Sequence, residues 1–80
     1  MIDANTNQPM KIQPAGEQGG YLRLPAEQVD AVVNLFLDHG LRCWRNPEIS
    51  SADGGPWRGT VYLSRNVKPD AAQAVLDSVP

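Results

Sequence analysis

The chain has 80 residues, with seven Lys and Arg against nine Asp and Glu, a formal net charge of −2, one His and one Cys. A length like this holds one domain, which buries only about 60% of the surface its unfolded chain exposes, so the core is small. One cysteine excludes an internal disulfide framework, one histidine without a cysteine pair leaves no metal-ligand spacing, and a slightly acidic total gives no general attraction to nucleic acid or acidic membranes.

Residues 1–9 are rich in Asn, Gln and Thr, which predicts a disordered tail ahead of a single domain over 10–80. They lack the basic start, apolar stretch and cleavage site of a secretory signal. No apolar run approaches the roughly 18 residues of a membrane span. The expectation is a cytoplasmic protein with no membrane partner, no cofactor and no bound metal.

In Met10–Gln13, Met10 and Ile12 alternate with Lys11 and Gln13, a short strand pattern, and Pro14–Gly20 reads as a loop. Tyr21–Leu24 is a strand with Leu22 and Leu24 on one face, Tyr21 and Arg23 on the other. Pro25 suits a first helical position. Val29, Val32, Val33, Phe36 and Leu37 then recur at helical spacing, and Gly40 fits the left-handed residue that ends the helix, with Leu41 as its hydrophobic contact. Leu41–Arg45 is a second strand interrupted at Asn46-Pro47. In Gly59–Arg65, Val61 and Leu63 alternate with Thr60, Tyr62 and Ser64. Pro69 opens a last helix whose buried stripe is Ala72, Val75, Leu76 and Val79.

The order (β)βαββα predicts an α+β fold with two helices on one face of a three- or four-stranded mixed sheet. A right-handed crossover would place the Tyr21 and Gly59 strands side by side and parallel. Over about residues 10–79 the layout resembles a ferredoxin-like plait without its final strand, whose place Met10–Gln13 would fill. That resemblance is architectural, and fold does not fix function.

The stretch Ser50–Arg65 (SSADGGPWRGTVYLSR) is the part of the chain richest in groups that could carry chemistry. A phosphate loop needs a Gly-Lys pair entering a helix, whereas Gly54 and Gly55 lead into a strand and the chain has no Gly-Lys. Asp53-Gly54 is instead a favoured type I′ turn pair, which makes residues 46–58 a hairpin arm carrying Trp57. Serine and aspartate at Ser50, Ser51 and Asp53 have no histidine base in sequence reach. His39 falls in a last helical turn, where its charge suits the dipole, and Cys43 is expected in the core rather than as a nucleophile. Enzyme activity, a small hydrolase or an enzyme subunit, ranks last.

With Leu22, Leu24, Val61 and Leu63 under the helices, the other sheet face carries Tyr21, Arg23, Thr60, Tyr62 and Ser64. If Leu41 and Cys43 point to the helices, Arg42 and Trp44 join it. A strict two-residue turn at Asp53-Gly54 would set Trp44 opposite Leu63, on the core side; a bulge near Asn46-Pro47 returns it to the open face. All five arginines fall on or beside strands while five acids fall on helices, a segregation that favours an anionic partner on the sheet side. The plainer account is that arginine stems cover exposed sheet and keep their heads in water. The leading expectation is a non-enzymatic binding module for a protein partner or its own copy, through Tyr21, Arg23, Trp44, Trp57, Arg58 and Tyr62. The runner-up is a single-stranded nucleic-acid or anionic-ligand binder on the same face, although no RNP1-like run is present.

Overall fold

The computed structural model describes residues 1–15, 18–47, 49, 55 and 57–79. Among these residues four strands form one sheet: β1 (Gln13–Ala15), β2 (Gln18–Pro25), β3 (Cys43–Arg45) and β4 (Arg58–Leu63). Their order is β1-β2-β4-β3 and every ladder is antiparallel. Two helices, α1 (Val29–Asp38) and α2 (Pro69–Asp77), complete an α+β domain. Neither is long and apolar enough to cross a membrane.

Side chains alternate across a strand, so one set of residues must face the helices. Leu22, Leu24, Val61 and Leu63 are at most 3% exposed and share one cluster with Val32 and Phe36 of α1 and Ala72 and Leu76 of α2. Both helices therefore cover the same face. The register Leu22 opposite Val61 and Gly20 opposite Leu63 keeps the two central strands in phase.

The sheet is antiparallel throughout rather than mixed, and this corrects the expected pairing of the Tyr21 and Gly59 strands. They are neighbours, but β2 and β4 run antiparallel. The strand reached by the α1 crossover is β3, at the sheet edge. Since β2 and β3 each run antiparallel to β4, they are parallel to one another with β4 between them. The first strand is also displaced: it begins at Gln13 and takes in Pro14, a position whose composition suggests a loop. An edge strand accommodates a proline because its outer N–H positions need no partner.

The first helix starts later than its pattern suggests. Pro25 ends β2, fully buried, and Ala26–Gln28 form a 3-10 turn before α1 begins at Val29. Its buried stripe is Val29, Val32 and Phe36; Val33 is half-buried and Leu37 is 52% exposed, because a sheet this narrow covers only one strip of the helix. The end matches expectation. Gly40 has φ +74°, the Leu41 N–H donates to the Phe36 carbonyl at 2.9 Å, and the Gly40 N–H donates to that of Leu37 at 3.0 Å, the two bonds of a Schellman cap. Gly59 serves packing instead. A Cβ there would meet Val29 Cγ2 at 2.8 Å, so glycine lets the start of α1 approach β4.

Residues 1–9 differ from a disordered tail, being folded into a loop docked on the domain. Ile2 bridges to Pro9, the Asp3 N–H donates to the Gln8 carbonyl at 2.9 Å, and the Met10 N–H donates to the Met1 carbonyl at 3.0 Å. Gln28 clamps this loop from the 3-10 turn, accepting from the Ala4 N–H at 2.9 Å and donating to the Ile2 carbonyl at 2.9 Å. Met10 closes it by entering the core at 3% exposure. The Asn, Gln and Thr content reads as disorder, but short polar side chains also close tight turns: Asp3 Oδ1 accepts from the Asn5 and Thr6 N–H groups and Thr6 Oγ1 from the Gln8 N–H.

Candidate functional site: the open face of the sheet

The face away from the helices carries one aromatic ring from each of three neighbouring strands. Tyr21 of β2 stands opposite Tyr62 of β4, which stands opposite Trp44 of β3. The Trp44 and Tyr62 rings stack with centroids 6.2 Å apart and planes 30° from parallel. Trp44 is 54% exposed, and both tyrosines are half-buried by their neighbours in the row. Asn46 Nδ2 donates to the Tyr62 hydroxyl at 3.4 Å, holding the middle ring from the β3 side.

This register places Trp44 on the open face, one residue away from the pairing that a strict turn at Asp53-Gly54 would impose. The turn itself, with Ser50, Ser51 and Asp53, lies outside the described residues. Arg23 follows Tyr21 by two positions and Arg42 precedes Trp44 by two. Because β2 and β3 are parallel, the two residues lie at opposite corners of the aromatic row. Both residues are exposed. Gln13, Thr60 and Ser64 also belong to this face, as do Pro25 and Arg58 at its far end, and none of them is acidic.

Trp57 is placed apart from this row, whereas Arg58 shares the face of β4 with Thr60 and Tyr62, four residues before Tyr62. Trp57 is 63% exposed at the end of the sheet, where its carbonyl accepts from the Ala26 N–H at 2.9 Å. With Asn5, Ala26 and Glu27 it lines a shallow groove of about 350 Å³. Arg58 is committed to the N-terminal loop: its Nη2 donates to Asp3 Oδ2 at 2.9 Å and to the Arg23 carbonyl at 3.2 Å. Burial disfavours the Asp3 carboxylate, but the Arg58 guanidinium and the N–H groups of Asn5 and Thr6 more than offset this and hold its pKa below the ordinary value. Sequence reasoning missed this pair, since nothing local links residues 55 positions apart.

Arg45, by contrast, leaves the open face. It stands opposite Val61 on the helix side and forms an ion pair with Asp30 of α1. The pair sits at a second groove of about 420 Å³, with Val29, Ile49 and Gly59 among its walls. The period-2 pattern of Cys43 and Arg45 was the available signal, because residues two apart share a face. The segregation of charge is thus partial: Arg45 and Arg58 are paired with acids, whereas Glu27, Asp38, Asp70 and Asp77 are exposed away from the open face.

Among the described residues, the remaining reactive groups are not assembled. His39 is exposed at the end of α1, while Cys43 is half-buried with Sγ 3.8 Å from the Val33 carbonyl. Burial pushes the Cys43 thiol pKa up, the reverse of what a thiolate nucleophile needs. Among the described residues, no three His, Cys, Asp or Glu side chains are grouped to hold a metal. No family model, curated protein or solved structure matches this chain.

Proposed function

We propose that the chain is a small non-enzymatic binding module whose recognition surface is the open sheet face. One observation carries this reading: the row Tyr21–Tyr62–Trp44, a ring on each of three strands, with no described element packed over it. Aromatic and arginine side chains supply most of the energy at binding surfaces, and a monomer gains nothing from leaving an indole in water. Trp57 and its groove form a separate contact area at the end of the sheet. The sheet order supports reading the architecture as a ferredoxin-like plait in which β1 takes the place of the last strand; that layout leaves one face free.

The test is a double variant, Trp44→Ala/Tyr62→Ala, compared with the parent by thermal melting, sedimentation velocity and affinity capture with both protein and nucleic-acid detection. The expected result is a melt within several degrees of the parent and loss of the association that the parent shows. Retention of every association would remove the open face as the recognition surface.

A further inference from the structure

We infer that the occupant of the open face is a single-stranded nucleic acid, with bases stacked on Trp44, Tyr62 and Tyr21 and phosphates held by Arg23 and Arg42. This rests on reading that face as the binding surface and names its partner class. The charge on the face disfavours the simplest alternative, a second copy. Arg58 shares the face by register but is paired with Asp3, so the charges left there without an acid partner among the described residues are Arg23 and Arg42, and two copies face to face would bring those guanidiniums together. Among the described acids, Asp3 and Asp30 are already paired, and Asp70 and Asp77 are on α2.

The chemistry of the surface fits planar, anionic ligands. Apart from Pro25, buried at its far end, the described face around the aromatic row is built of rings, guanidiniums and small polar groups. Bases stack on aromatic faces irrespective of sequence, and their phosphates pair with arginine. A duplex keeps its bases stacked on each other and cannot use such rings, so the ligand is single-stranded. Ideal strand spacing puts the Cα atoms of Arg23 and Arg42 about 16 Å apart across the diagonal of the row, two strands over and four residues along. That frame spans two or three splayed bases, the number that comparable open sheets hold. The overall charge of −2 does not oppose it, because Glu27, Asp38, Asp70 and Asp77 are exposed off this face.

The experiment is fluorescence anisotropy with end-labelled oligo(dT) and oligo(U) of about eight nucleotides, long enough to cover the row. A hairpin duplex and inorganic polyphosphate serve as comparison ligands. The inference predicts saturable single-strand binding at low salt, with a dissociation constant within about 10⁻⁴–10⁻⁶ M, and weaker binding of the duplex and of polyphosphate. Two phosphate contacts give a slope of log K against log salt of about −1.4, halved in Arg23→Gln and in Arg42→Gln. Trp44→Ala should weaken binding about ten-fold or more. In the Trp57→Phe variant, emission from Trp44 should be quenched as the oligonucleotide saturates. Equal affinity for polyphosphate, or no saturation at millimolar protein, overturns the inference. If no oligonucleotide binds while Trp44→Ala/Tyr62→Ala still abolishes another association, the nucleic-acid assignment fails and the binding face stands. If oligonucleotide binding is untouched in that double variant, both fail.

Discussion

Val61 and Tyr62 are consecutive residues of β4 with opposite surroundings. Val61 is fully buried under the helices, whereas Tyr62 lies half-covered between two other rings on the bare face. Both sit in the same extended strand, so the difference comes from what each face meets. On one side, apolar area removed from water stabilises the domain by about 25 cal/mol per Å². On the other, the same strand holds rings in register without covering them. A chain of this size has enough apolar residues to bury one face of a four-stranded sheet and leaves the second for other uses.

The largest expected effect lies on the helix side. Phe36 is fully buried against the sheet, and Phe36→Ala should cost about 3–5 kcal/mol, enough to leave much of so small a domain unfolded at room temperature. A cooperative melt close to that of the parent would show that α1 does not pack as described. Deleting residues 1–9 comes next, because it removes the Asp3–Arg58 pair and the backbone partner of Met10. The deletion should destabilise at least as much as Asp3→Asn; unchanged stability would mean that the loop is not docked in solution.

Asp3→Asn separates the charge from the rest of that loop, and should cost about 1.5–3 kcal/mol at neutral pH, the range for a hydrogen bond to a charged group. The folded pKa of Asp3 lies below its unfolded value, so its contribution is fully present above the unfolded pKa of about 3.9 and is lost as pH falls through the folded pKa. Denaturant melts of parent and variant should therefore differ at pH 7 and converge in acid. A gap that persists with the carboxyl group protonated in both folded and unfolded states would assign the effect to packing rather than charge.

These contrasts also mark what is legible in the residues. Period-2 alternation in β2 and β4 is visible in the sequence, and it places Leu22, Leu24, Val61 and Leu63 on one face and Tyr21, Arg23 and Tyr62 on the other. The end of α1 is equally legible, since a Schellman cap is set by one glycine and the residue after it. Long-range facts are not. Whether Trp44 joins the aromatic row depends on a register fixed by pairing with β4, which the β3 residues do not encode alone. Trp57 groups with that row by residue type, yet it sits beside Ala26, because the strand end at Arg58 turns its neighbour toward the 3-10 turn. Arg58 and Arg45 read as free positive charge in the sequence; their acid partners are 55 and 15 positions away. Pro25 and Pro14 have the marks of a helix start and a loop, yet each is tolerated in this sheet where it requires no ladder N–H.

The smallest expected stability change, and the one that bears on function, belongs to Tyr62. The most direct measurement compares Val61→Ala with Tyr62→Ala, each assayed by thermal melting and by anisotropy with labelled oligo(dT). Val61→Ala should lose about 1.5–3 kcal/mol of stability while its folded fraction binds as the parent does. Tyr62→Ala removes a cross-strand ring pair and should lose only about 1 kcal/mol, a shift of several degrees, while binding weakens about ten-fold or more. If Tyr62→Ala unfolds the domain, or binds like the parent while Val61→Ala does not, the assignment of one face to stability and the other to recognition is contradicted.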